Sequence, residues 1–204
     1  MNGRGRLIAF EGGEASGKST QARALATSLG AVLTREPGGT DIGRRIRAVV
    51  LAPDLGALDA RAEALLMAAD RAQHVAEVVE PALARGDDVV TDRFSGSSLA
   101  YQGFGRGLDV NEVHRLSAWA AAGIEPDLIV LLDVPVEVTA ARRSTVDDRM
   151  EAEGAEFHAR VTEGYRALAA ADPDRWVVVD GTGSVDEVSE RIAKVVTERL
   201  QPRA

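Results

Sequence analysis

A chain of 204 residues suits one domain, 1–204, with a substantial core. Its 45% hydrophobic and 27% charged content is that of an ordinary soluble globular protein, and a formal net charge of −8 argues against a sequence-independent DNA or RNA binder, which needs a basic face. With no cysteine there is no disulfide framework and no thiolate metal site, which fits a cytoplasmic location.

In chain order, MNGRGRLIAFEGG is too poor in apolar residues for a signal peptide or a membrane span, and LIAF (7–10) reads as a buried strand. A helix follows over 17–29, then a strand AVLT (31–34), the loop REPGGT (35–40) and a helical stretch to about 51. Residues 60–85 read as one long helix with Ala62, Leu65, Leu66, Ala69, Ala72 and Val75 on its inward face and an interruption at Pro81. DVVT (88–91) is a third strand ending at Asp92; Asp109 with Glu112 opens another helix. LIVLLD (128–133) is the most apolar strand, Pro135 suits the first turn of a helix after it, and WVVVD (176–180) is the last strand. Ser184 with Glu187 caps a final helix that turns Val185, Val188, Ile192, Val195 and Val196 inward. Strands alternating with helices imply a parallel sheet in a three-layer α/β domain, with ligands at the C-terminal ends of the strands. The polar run 142–154 is the one segment expected to be mobile.

FEGGEASGKST carries the spacing GxxxxGK[ST] between a strand and a helix, the context a phosphate-binding loop requires. Gly12, Gly13, Glu14, Ala15, Ser16 and Gly17 would wrap the phosphates of a nucleotide with backbone N–H groups, and Thr20 follows in the helix. Lys18, one of only two lysines in the chain, would reach the β- and γ-phosphates, and the Ser19 hydroxyl would bind Mg²⁺. Asp92, at a strand end beside the loop, either holds that ion or caps a turn. Arg93 points into the same cleft and joins Arg47 and Arg71, a set suited to a monophosphate dianion. No guanine-reading NKxD motif occurs.

FEGGEASGKST, TREPGGT, EALLMAADRAQHV, TDRFSGSSLAYQG, PDLIVLLDVPVEV and the DDRME segment, in this order from about 7 to 188, resemble bacterial thymidylate kinase. The resemblance implies a P-loop fold with a five-stranded parallel sheet and a mobile lid, a homodimer, and Mg²⁺-dependent transfer of the γ-phosphoryl of ATP to dTMP. It implies that Arg93 and Arg47 bind the dTMP phosphate, Arg71 the thymine O4, and Ser98 the base edge. Tyr101 would crowd the sugar 2′ position, with Glu36 near the sugar and phosphate, Gln102 in the same site, and Glu14 approaching sugar or metal. Met67 stands where a phenylalanine is usual, and is either a thioether cover for the ring or a core methionine.

The loop has no arginine of its own, so cations elsewhere must let two anions approach. The resemblance points to the lid: Arg149 as an arginine finger, with Arg142 or Arg143 on the ATP phosphates or adenine. Arg149→Ala would then cut turnover while leaving dTMP affinity nearly unchanged. Trp119 is core or dimer face, and His74, His114 and His158 lack metal-ligand spacing. Two other readings are a P-loop kinase for a different nucleotide or nucleoside, and a nucleotide-dependent switch ATPase, which would hydrolyse ATP without an acceptor.

Overall fold

The computed structural model describes residues 3–53, 56, 58–135, 137–139 and 148–200. Its centre is β1 (Leu7–Glu11), whose five residues are all buried because helices cover both faces of the sheet. After α1 (Lys18–Leu29), β2 (Val32–Arg35) and α2 (Asp41–Val50) comes α3 (Ala60–His74), which runs through a π-helical turn, Val75–Val79, into α4 (Glu80–Arg85). Pro81 lacks the N–H that an α-helical ladder needs, and the interruption expected there lies in the turn just before it. β3 (Val89–Asp92) leads to α5 (Ser95–Ser98) and a second π-helical segment, Leu99–Gly105. The chain closes with α6 (Val110–Ala120), β4 (Leu128–Asp133), α7 (Ala155–Ala171), β5 (Trp176–Asp180) and α8 (Val185–Arg199). The Ser184–Glu187 capping box at α8 is present, but only Val188, Ile192 and Val196 are buried; Val185 is exposed and Val195 half-buried.

All strand pairs are parallel in the order β2-β3-β1-β4-β5. Phe10 is level with Asp92 and Val130, and Arg35 with Asp92, so the loops after β1, β2 and β3 leave the sheet along one edge. One apolar cluster lies between the sheet and the α3–α4, π-helical and α7 layer; the other lies under α1 and α8. Residues 137–139 are helical after Pro135, and the lid residues 142–147 lie outside the described residues.

The inward face of α3 differs from the one its apolar spacing predicts. Leu65 is 58% exposed and Ala69 and Ala72 face solvent, whereas Glu63, Asp70, Arg71 and His74 are buried. Charged groups occupy a helix interior when partners replace water, and here Glu63 meets Arg106 and Arg149 while Glu36 meets Arg71 and His74. Trp119, 81% exposed on α6, is not a core residue.

Candidate active site

The site begins where β1 ends. Gly12 has φ 143°, and a Cβ there would stand 2.7 Å from the Leu132 carbonyl oxygen, so only glycine lets the loop leave between β1 and β4. Gly17, φ 95°, is the N-cap of α1 and has no side-chain cap, which leaves the helix's first N–H groups for an anion. Lys18 Nζ lies back across the loop, donating to Gly13 O at 2.5 Å and Ser16 Oγ at 3.2 Å. Burial, then the charge of Arg93, lower its pKa to about 8.

Ser19 Oγ donates to Asp92 Oδ2 at 2.5 Å, and Asp92 Oδ1 is buried with no partner. A hydroxyl and a carboxylate with a spare oxygen beside a phosphate loop fit Mg²⁺, which takes one or two protein oxygens and completes its shell with phosphates and water. Among the described residues no cluster of three or more acidic or histidine side chains forms a dedicated metal cage. Glu14 is committed elsewhere: its Oε1 accepts from Arg93 Nη2 at 2.5 Å and Tyr101 OH at 2.7 Å. Burial would raise this carboxyl, but Arg93, Lys18 and the Tyr101 hydroxyl outweigh it and hold it at about 2.

Arg93 sits at φ 71°, a conformation non-glycine residues rarely adopt, fixed by its N–H donating to Phe10 O at 2.9 Å. Its Nη1 donates to Gly12 O, Ser97 Oγ and Tyr165 OH at 3.1–3.2 Å, and its Nη2 to Glu14 and Tyr101. Behind it, Glu11 is fully buried and accepts from the N–H groups of Phe94 and Ser97, from Ser97 Oγ at 2.6 Å and from Tyr165 OH. Burial pushes the Glu11 carboxyl up.

Glu36, Arg47, Met67, Arg71, Arg93, Ser98, Tyr101 and Gln102 line a single cavity, with Pro37, Asp70, Phe94, Asp148 and Met150. Arg71 Nε donates to Glu36 Oε2 at 2.9 Å, Nη1 to Ser117 Oγ, and Nη2 to Phe94 O and Ser98 Oγ. His74 bridges Glu36 and Thr34, a structural role. Asp70 Oδ1 accepts the Gly38 N–H at 2.9 Å while its buried Oδ2 has no partner; burial, then the Glu36 charge, push this carboxyl up to about 6.

A second cleft follows the phosphate loop, lined by residues 14–20 with Arg35, Arg47, Asp92, Arg93 and Glu151. A third hollow shares Ser16, Gly17 and Thr20 with it and is closed by Gly181, Gly183, Ser184, Val185 and Val188. Gln21, donating to Val185 O and accepting from Ser189 Oγ, ties α1 to that wall.

Arg149 is not brought to the phosphate loop. Its Nη2 pairs with Glu63 at 2.6 Å and its Nε with Val50 O at 2.8 Å; from its neighbourhood Glu151, not Arg149, lines the loop cleft. Gln102, while lining the acceptor cavity, spends an amide hydrogen on Glu63. Arg142 and Arg143 lie outside the described residues. Sequence reasoning missed Glu11, Arg35, Asp70 and Tyr165. Glu11, a charge closing an otherwise apolar strand, and Asp70, the neighbour of Arg71, are the two that local sequence signals.

Arg93 lines both the inner cavity and the loop cleft, so two anionic ligands would meet at one guanidinium. Residues 10–192 match the family described as thymidylate kinase. The chain belongs to that family. The thymidylate kinase of Leifsonia xyli subsp. xyli is 52% identical over 196 residues, covering 92% of each chain. That of Solidesulfovibrio magneticus is 48% identical over 208 residues, 95% of this chain and all of the relative. The crystal structure of thymidylate kinase from Ehrlichia chaffeensis superposes with a TM-score of 0.80 at 29% identity, over 95% of this chain and 100% of that one. The match extends thymidylate kinase family likeness across the loop, the acceptor cavity and the segment around Arg149 together.

Proposed function

We propose that dTMP occupies the inner cavity and ATP the loop cleft, with Arg93 between them. The chain transfers the γ-phosphoryl of ATP to dTMP, giving dTDP and ADP. The observation that supports this arrangement is that Arg93 is hydrogen-bonded to Gly12 O of the phosphate loop and to Glu14 and Tyr101 of the cavity wall. An acceptor phosphate with a second pKa of about 6 is mostly a dianion at neutral pH, so its oxygen attacks without a general base. As that oxygen bonds to the γ-phosphorus, the bond to the β-bridging oxygen breaks and ADP leaves. The protein's task is to let the anions approach. Arg93 and Arg47 face both cavities, Arg35 adds charge on the loop side, and Lys18 lies along the loop. Arg35 is close enough to contribute, after burial, to lowering the Arg47 pKa, as expected where cations crowd to receive phosphate. Mg²⁺, when bound, neutralises the β- and γ-phosphate oxygens, and Ser19 and Asp92 would hold it.

In the cavity, Ser98 Oγ keeps a lone pair for the base N3–H, and Arg71 keeps one Nη1 hydrogen for the O4. Tyr101 limits room at the sugar 2′ position, and Met67 covers the ring face. The adenine of ATP fits the hollow between the loop and Gly181–Val188. Arg142 and Arg143 remain candidates for the ATP phosphates. A coupled ADP-release assay with Mg²⁺–ATP and dTMP, dUMP, UMP, dCMP or no acceptor tests this reading. Turnover should strongly favour dTMP; equal ADP release without acceptor would overturn it.

The outward apolar side chains Ile42 on α2, Leu65 on α3 and Trp119 on α6 support a homodimer through these adjoining helices. Burying a Leu and a Trp stabilises by roughly 1.5–3 kcal/mol each. The double variant Leu65→Asp, Trp119→Glu should halve the mass seen by sedimentation equilibrium; an unchanged mass would remove these helices from the interface. No described helix is long and apolar enough to cross a membrane.

A further inference from the structure

Glu63 is fully buried on α3, where a carboxylate is stable only if its oxygens are well paired. Gln102 Nε2 and Arg106 Nε donate to its Oε1 at 2.8 and 3.2 Å; Arg106 Nη2 and Arg149 Nη2 reach its Oε2 at 3.1 and 2.6 Å. Burial would raise this carboxyl, but the hydrogen bonds from Arg106, Gln102 and Arg149 outweigh it and lower it. The same two arginines fasten the segment 148–153. Arg149 donates from Nε to Val50 O and from its backbone N to Leu51 O, Arg106 Nη1 pairs with Glu153 at 2.5 Å, and Met150 Sδ lies 3.6 Å from both guanidiniums.

The outcome of this fastening is at a distance from the carboxylate. Leu51, Gln102, Asp148 and Met150 line the inner cavity, whereas Glu63 is not among its lining residues. We propose that Glu63 is a positioning residue for the acceptor: by holding Arg149, Arg106 and Gln102 it sets Asp148 and Met150 as one wall of the cavity. Affinity for the nucleoside monophosphate then depends on a carboxylate that never touches it. Without that charge, two buried guanidiniums face each other with no anion between them, and the segment they anchor loses its seat. This rests on the inner cavity being the dTMP site.

The test is calorimetric titration of dTMP in the absence of ATP, with steady-state kinetics and thermal melting alongside, on Glu63→Gln and Arg149→Met. Arg149→Met leaves Glu63 paired with Arg106 and Gln102, so it reports even where Glu63→Gln does not fold. The dTMP dissociation constant should rise about tenfold or more in each folded variant, and kcat at saturating dTMP should stay within about threefold. A purely structural role would lower the melting temperature and leave the affinity of the folded protein unchanged. Unchanged dTMP affinity in folded Arg149→Met overturns the proposal, and a collapse of turnover at unchanged affinity would return Arg149 to the transferring phosphoryl. Arg71→Ala separates the two readings. If it loses dTMP while Arg149→Met does not, only the role of Glu63 falls; if it too keeps dTMP, the cavity assignment falls with it.

Discussion

Arg93→Ala should lower kcat/KM for dTMP by about 10³-fold or more. Truncating one partner of a buried, hydrogen-bonded charge pair costs roughly 2–5 kcal/mol, and each 1.4 kcal/mol is about a factor of ten. Arg93 has such a pair with Glu14 and also faces both substrates' cavities. Arg93→Lys should recover about tenfold at most, because a single ammonium cannot reach Gly12 O, Ser97, Tyr165, Tyr101 and Glu14 together. Steady-state kinetics with dTMP varied, on protein whose circular dichroism matches wild type, decides it; an alanine variant within about threefold of wild type would remove Arg93 from the reaction. An acid-stability signature should accompany the loss. Glu14 is held at about 2, below its ordinary 4.5, so its contribution is complete above pH 4.5 and fades as pH falls toward 2. The alanine variant lacks most of that contribution, so its deficit in melting temperature should narrow in acid.

Lys18→Met should reduce kcat about 10²–10³-fold, the loss typical of removing one preorganised donor to developing charge. It should also erase a pH dependence. In the free protein burial and Arg93 place Lys18 at about 8, so above that pH it has lost its proton. Triphosphate binds the protonated form, and binding must then draw a proton from solution, weakening ATP by up to about tenfold per pH unit. Calorimetry at pH 7, 8 and 9 should show ATP affinity falling in the wild type and flat in Lys18→Met. Parallel curves would mean that Lys18 is not the titrating contact.

The architecture was legible because each strand is a short apolar run with its own boundary signal. LIVLLD and WVVVD are observed as read, and the strands before Asp92 and Glu36 shift by one residue. The phosphate loop and the acceptor set were legible for another reason: glycine spacing and the blocks REPGG and DRF carry local geometry. What escaped were features decided by tertiary pairing. Apolar periodicity on α3 marks the face away from the sheet, since the buried side is filled by Glu63, Asp70, Arg71 and His74. Arg149 looked like a free cation in a polar loop because nothing in the sequence shows that Glu63, far earlier in the chain, would take it. The helix Ala155–Ala171 is alanine-rich with a modest apolar stripe, and its Tyr165 matters only through Glu11 and Arg93, neither of which is near it in sequence.

The π-helical segment Leu99–Gly105 has a consequence for how this chain tolerates change in length. The Arg106 N–H reaches back five residues to Tyr101 O, so each turn there holds one residue more than an α-turn. Deleting a single residue between Arg93 and Arg106 would let the segment relax to α-helix and turn everything after the gap by about 100°. The hydroxyl of Tyr101, the amide of Gln102 and the guanidinium of Arg106 could then no longer all face their carboxylates. The stretch thus acts as a fixed spacer, and an insertion or deletion scan should find it the least forgiving part of the molecule, whatever residue is removed.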